Sequence, residues 1–133
     1  MIGLDTNILV RYIAQDDTRQ SAQAGRLVEA LSVDAPGYVS MVALTELVWV
    51  LDDAYAMTRD ELYDVVHKLL ETDRVVVQSA PLVWQALGDF RSSSADFADH
   101  LIQRASSAAG CTDTLTFDRK AARSAGMKLV AAS

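Results

Sequence analysis

Cysteine, histidine and proline are all scarce in this chain: Cys111 is the only thiol, and there are two histidines and two prolines. One thiol cannot close an internal disulfide or build a thiolate metal site, so the expectation is a protein held by its apolar core in a reducing compartment. Long hydrophobic runs are missing as well. The longest is about five residues, against the ~20 that a membrane-spanning helix needs. No basic stretch followed by an apolar one opens the chain, and the expectation is a soluble, cytoplasmic protein with no membrane partner. No Gly-rich phosphate loop or nucleophile elbow is present. Positive charge is in deficit, with 12 Lys and Arg against 18 Asp and Glu and a net charge of −6, which argues against a broad electrostatic grip on nucleic acid. The distribution softens this. Arg11, Arg19, Arg26 and the group Arg119, Lys120 and Arg123 fall near expected element ends, so a positive rim around an acidic centre is compatible with the total.

What remains is a chain of 133 residues, half of them hydrophobic, without repeats or low-complexity tracts. That predicts one compact domain over residues 1–133. Met1 to Leu4 reads as a short buried strand. Asn7 to Ile13 reads as a helix, and Asp17 to Gln20 as a capping box opening a second helix that runs to about Leu31. A strand at Tyr38 to Ser40 leads into a helix from Val42 to about Tyr55, apolar on almost every side and therefore expected to be well buried. Thr58 to Glu61 is a second capping box, for a helix through Glu71. Val75 to Val77 is a third strand, Pro81 opens a helix to about Phe90, and Ser92 to Ser94 break the pattern. A helix from near Ala95 to before Gly110, a strand over Thr114 to Phe117, a helix after Asp118 and a last strand at Met127 to Val130 complete the chain. Strands alternating with helices predict an α/β three-layer sandwich, with helices on both faces of a central parallel sheet of four to five strands.

In such sheets ligands bind beyond the strand C-termini, and acids stand there. Asp5 follows the first strand and Asp118 the fourth. Each also precedes a helix, so capping explains either one alone; the pair is harder to dismiss. Glu46 lies within the apolar helix, where a carboxylate is expected to be buried and therefore paired or metal-bound. Asp96 and Asp99 share a helical face at spacing i, i+3. Ser93-x-x-Asp96 fits a capping box, which accounts for Asp96; Asp99 has no such local explanation. Asp16, Asp17, Asp60 and Glu61 are assigned to capping, and His67 and His100 to partly buried helix positions. Trp49 and Trp84 read as core or interface residues.

Oxygen-only donors of this kind suit Mg²⁺ or Mn²⁺ rather than zinc. Carboxylates drawn within ~4 Å of each other repel by several kcal/mol at an effective dielectric near 20, which a dication relieves. The chemistry such a site favours is phosphodiester hydrolysis by metal-activated water. Asp5-Thr6-Asn7 after the first strand, Thr45-Glu46-Leu47 in the apolar helix, Asp96 to Ile102, and Thr116-Phe117-Asp118-Arg119 together resemble the motifs of the PIN-domain family, specifically its VapC-type toxins. The resemblance spans nearly the whole chain. It implies a Mg²⁺- or Mn²⁺-dependent endoribonuclease, the toxin of a type II toxin-antitoxin pair, often homodimeric and silenced by a small VapB-like antitoxin. It also implies that Asp5, Glu46, Asp99 and Asp118 form the acidic site and that the hydroxyls of Thr6 and Thr116 hold the acids in place; Asp96, on the same helical face as Asp99, is expected from its position to join through water. His100 departs from the small residue that commonly follows the third acid, and is expected to crowd the pocket. The competing expectation is a catalytically silent PIN-like binding or regulatory module. A phosphoacceptor receiver or an aspartyl phosphatase is disfavoured: the phosphatase wants a second Asp where Asn7 stands, and the acid pair and Lys of a receiver are not evident.

Overall fold

The structure, a computed structural model, describes residues 1–131, so the last two residues of the expected 1–133 domain lie outside it. Two compact units are resolved, Met1–Ala80 and Pro81–Ser133.

The first unit is built on a parallel sheet. Its elements are β1 (Ile2–Gly3), α1 (Thr6–Ala14), α2 (Thr18–Glu29), β2 (Gly37–Val39), α3 (Met41–Asp53), α4 (Arg59–Glu71) and β3 (Val75–Val77). β2 lies between β1 and β3, with Ile2 opposite Gly37 and Gly37 opposite Val75. The strands are short, and their parallel pairing requires the helical crossovers between them. Gly37 is fixed by space: a Cβ there would stand 2.8 Å from Leu4 Cδ1 and 3.0 Å from Leu31 Cδ1. Leu4, Leu9, Leu31, Val39, Leu44, Leu47, Leu51, Leu62, Val66 and Val77 are buried. α4 carries the full capping box read from Thr58 and Glu61, with both reciprocal bonds formed. At α2 Asp17 caps Gln20 N–H, and the helix stops at Glu29, two residues short of the expected end.

α3 differs from its expectation. It buries Ala43, Leu44, Leu47, Val48 and Leu51 but leaves Val42 76% and Trp49 64% exposed, and Glu46, between them, is exposed as well. Positions 42, 46 and 49 follow the i, i+4, i+7 spacing of one helical face. An apolar composition all round thus did not bury the helix all round, and Trp49 is not a core residue. Asp16 also departs from the capping role: it joins Arg11 and Tyr55 in a side-chain network with Gln20 that ties α1 to the end of α3.

The second unit contains α5 (Ala80–Arg91), α6 (Phe97–Ala108), β4 (Leu115–Thr116), α7 (Arg119–Ser124) and β5 (Lys128–Leu129). β4 and β5 pair in parallel, with Thr116 opposite Leu129. α5 buries Val83, Ala86, Leu87 and Phe90, while Trp84 is 39% exposed and again not a core residue. Phe90 and Phe97 meet edge to face at 5.8 Å. Arg104 of α6 grips Asp89 of α5 with two hydrogen bonds, 2.6 and 2.9 Å. Ala95, Ala121, Ala125 and Met127 form a small buried cluster of their own. The five expected strands are therefore present, three in one parallel sheet and two in another.

Candidate acidic site

Asp5 stands at the C-terminal end of β1. Leu4 makes the last ladder bond, its N–H donating to the Tyr38 carbonyl at 2.9 Å, and the chain then turns into α1 with Asp5 at its N-cap, Oδ1 accepting from Thr6 N–H at 2.7 Å. The contact from Thr6 is thus a backbone one, and the Thr6 residue itself is buried. Glu46 is in the same unit, about one and a half turns into α3. Because β1 and β2 are parallel neighbours, α1 and α3 both leave from the C-terminal ends of adjacent strands. The burial expected of Glu46 is not found. Its carboxylate belongs to the exposed face shared with Val42 and Trp49, so desolvation does not force it to find a partner.

The second unit supplies Asp96, Asp99 and Asp118. Asp118 follows β4 and caps α7, with Oδ1 accepting from both Lys120 and Ala121 N–H at 2.8 and 3.1 Å. Its own N–H donates to Thr116 Oγ1 at 3.0 Å, so this hydroxyl braces the turn that carries the acid. Both capping bonds end on one carboxylate oxygen, so capping and cation binding are compatible uses of Asp118.

Asp96 is the N-cap of α6, yet its side chain makes no capping hydrogen bond. The capping box expected of Ser93 and Asp96 does not form, because Ser93 is used elsewhere: its Oγ lies 2.6 Å from His100 Nε2 and accepts from Ala95 N–H at 3.0 Å. His100, 2% exposed, bonds Ser93 and also lies near enough to Asp99 to act on its charge. Lys120 Nζ is 4.0 Å from Asp96 Oδ1, with both side chains more than half exposed, an ion pair of little strength in water.

Asp99, a turn into α6, is where the electrostatics register. Partial burial pushes its carboxyl above the usual carboxylate range, and the negative charges of Asp96 and Asp118 push it the same way; a hydrogen bond from the Asp96 backbone and the nearby His100 oppose this only in part. Raised carboxylates of this origin mark acids held near other acids.

Among the described residues, no three His, Cys, Asp or Glu side chains stand close enough together to enclose a metal ion. The donors nonetheless fit a hard divalent cation in kind. They are all carboxylate oxygens, the repulsion at Asp99 is what a cation relieves, and Mg²⁺ keeps several waters and binds proteins through only one or two carboxylates.

The chain has likenesses among known proteins. A family model described as PIN domain matches residues 2–127, across both units. The chain belongs to the PIN domain family. Its alternation of parallel strands and helices is that of the PIN three-layer α/β fold. This PIN domain is also 22% identical over 117 residues to a protein named VapC ribonuclease from Aquifex aeolicus (strain VF5), an alignment covering 88% of this chain and 87% of that one. Sequence reasoning missed two features of the acidic segment, the Ser93–His100 bond and the Asp89–Arg104 staple. Their spacings, seven and fifteen residues, match no local motif, and they become contacts only once α5 and α6 are placed.

Proposed function

We propose that this PIN domain is a Mg²⁺- or Mn²⁺-dependent endoribonuclease, the toxin of a type II toxin-antitoxin pair, acting in the cytoplasm as a single domain over residues 1–133. The observation that carries the reading is Asp99, a carboxylate raised by its burial and by Asp96 and Asp118, within a chain of this family. Similarity to a protein named as a VapC ribonuclease points to RNA as the substrate and to a small VapB-like antitoxin as the restraining partner. The exposed Val42 and Trp49 on α3 favour packing against a second copy, hence a homodimer.

In this reading Asp5, Glu46, Asp99 and Asp118 are the catalytic acids and the cation's ligands, with Asp96 contributing through water. When bound, the cation supplies Lewis acidity toward phosphate oxygens and lowers the pKa of water. The residues do the rest. Asp5 and Asp118, each tied to helix-start amides, hold their carboxylates in fixed orientation at strand ends. Glu46, on an exposed helix face, is suited to orient a water and take up its proton. Thr116 braces Asp118 through its backbone. Thr6 has the same bracing role in this proposal, its recorded contact with Asp5 being the backbone N–H. Arg119, Lys120 and Arg123 offer positive charge beside Asp118 for the RNA backbone.

The test is cleavage of a single-stranded RNA panel. Wild type with Mn²⁺ is expected to cut, while Asp5→Asn and Asp118→Asn lose at least about 100-fold in rate with the fold intact. Undiminished cleavage in both variants, or equal cleavage in excess chelator, rejects the proposal. The second reading, a silent binding or regulatory module, is favoured by the absence of an enclosed three-donor group among the described residues. Partner binding without RNA turnover under any divalent cation would establish it instead.

A further inference from the structure

A cleft of about 280 Å³ opens between α1 and α2, wholly within Met1–Ala80. Its walls follow from helical spacing. α2 contributes Gln20, Gln23, Ala24 and Leu27, the i, i+3, i+4, i+7 positions of one face, and α1 contributes Asn7, Ile8 and Arg11. Ala24, 3% exposed, carries only a methyl group where its neighbours on that face carry long side chains, so space is left at depth. Depth and mouth differ in kind: Ala24 is buried and Ile8 half-buried, whereas Asn7, Gln20 and Gln23 are exposed. These three are carboxamides, out of only seven in the chain, Asn7 and six glutamines. One wall is fixed. Arg11 Nε donates to Gln20 Oε1 at 2.7 Å, and Nη1 of the same guanidinium bonds Asp16, which offsets its charge, and the Tyr55 hydroxyl. The bond to Arg11 also orients the Gln20 amide, occupying its oxygen and leaving its NH2 group as the end to offer. Asn7 and Gln23, whose side chains make no hydrogen bond to another described residue, keep both a donor and an acceptor. Asn7 is the second residue of α1, and Asp5 is the N-cap of that helix. The cleft therefore begins within one helical turn, ~5.4 Å, of an acid of the proposed site.

We propose that this cleft is a base-binding subsite, taking one adenine of a single-stranded RNA next to the phosphodiester presented to Asp5. The assignment rests on the proposed function for the RNA and deepens it by naming what the site reads. Three features select the ligand. The volume stands at the low end of the ~300–1,000 Å³ of small-molecule sites, room for one flat ring system. The pairing of Arg11 with Asp16 removes the surplus positive charge that would draw a phosphate into the cleft, and so favours an uncharged group. Apolar surface at depth with carboxamides at the mouth suits a ring whose faces are apolar and whose edge is polar. Unstacked RNA bases are recognised at such edges, and Asn and Gln carboxamides match the adjacent amino donor and ring-nitrogen acceptor of adenine. With the base seated, the sugar and phosphate lead out past Asn7 toward Asp5, so Asn7, Gln20 and Gln23 are specificity-determining residues.

The test uses short uridine oligoribonucleotides carrying a single adenosine, cytidine or guanosine at each position in turn, with the all-uridine strand as reference. Binding is read in chelator, where no metal-dependent cleavage occurs, from the side-chain NH2 resonances of the ¹⁵N-labelled chain. Adenosine strands are expected to shift the signals of Asn7, Gln20 and Gln23 and to leave that of Gln85, an exposed carboxamide on α5, in place. Cleavage is read with Mn²⁺. Wild type is expected to cut the strand with adenosine at one particular position with a kcat/KM about tenfold above the all-uridine strand, and cytidine or guanosine there is expected to give less. Ala24→Leu, which fills the cleft, and Gln23→Ala are each expected to bring that ratio to within about twofold of one, while Gln85→Ala keeps it. Should Ala24→Leu not fold, Gln23→Ala, a change at an exposed position, carries the test. A wild type that cuts without preferring adenosine, or a preference that survives Gln23→Ala and Ala24→Leu, would overturn the subsite and leave the nuclease standing. Resonance shifts that Gln23→Ala abolishes, without cleavage under any divalent cation, would support the subsite and refute the nuclease. RNA that moves none of these signals and is not cut would refute both, and would leave the cleft to a protein partner.

Discussion

Asp99 is held in its place at a cost whenever no cation is bound. Burial and the charges of Asp96 and Asp118 raise its carboxyl, so folding makes this group easier to protonate than it is in the unfolded chain. The contribution of this group to stability is therefore greatest below the ordinary carboxylate range and declines as pH rises through the raised value. Asp99→Asn is expected to raise the melting temperature of the metal-free protein at pH 7 by about one or two degrees and to abolish cleavage. The gain should vanish near pH 3, where wild-type Asp99 is protonated; a variant less stable than wild type at pH 7 would show that Asp99 is a structural residue. Asp89 behaves oppositely. The hydrogen bonds from Arg104 hold its carboxyl below the usual range against partial burial, so this pair stabilises at neutral pH and its contribution fades as acid protonates Asp89. With both side chains about a third exposed, Arg104→Ala is expected to cost about 0.5–1 kcal/mol at pH 7 and much less at pH 3, by denaturant titration at the two values.

At the scale of elements, the parts legible in sequence are those whose cause is local. The capping box of α4 could be read from Thr58 and Glu61 because both partners lie within one turn, and Thr58→Ala is expected to lower stability by about 1 kcal/mol in urea unfolding. The strand ends at Asp5 and Asp118 could be read because an apolar run and a polar break adjoin in the chain. Two of the expectations that failed did so for the complementary reason. The burial assigned to Glu46 came from an apolar composition around α3, and composition does not say whether a neighbour covers each face; here the stripe of Val42, Glu46 and Trp49 is uncovered. The box assigned to Ser93 and Asp96 has the right spacing, but spacing cannot show that a buried histidine seven residues on offers Ser93 a partner shielded from water. Of the acids, Asp99 was set apart from Asp96 as the one without a local explanation; its carboxyl is raised, while the capping that was to explain Asp96 does not form.

For the whole molecule, the family and its α/β fold follow from the order of motifs along nearly the entire chain, which is why they were accessible before any coordinates. The acids divide between the units, Asp5 and Glu46 in Met1–Ala80 and Asp96, Asp99 and Asp118 in Pro81–Ser133. A cation bound by the folded chain alone would stabilise it by mass action, by about 2.7 kcal/mol at a hundredfold excess over its dissociation constant. Calorimetric melting in rising Mg²⁺ is expected to show that increase and to lose it in Asp5→Asn and Asp99→Asn alike. The claim beneath all of this is that these carboxylates are there to bind a divalent cation, and the most direct measurement is an electron paramagnetic resonance titration of Mn²⁺ into wild type and the four single variants Asp5→Asn, Glu46→Gln, Asp99→Asn and Asp118→Asn. The account predicts binding by wild type that weakens about tenfold or more in each variant; equal affinity in all five proteins would contradict it.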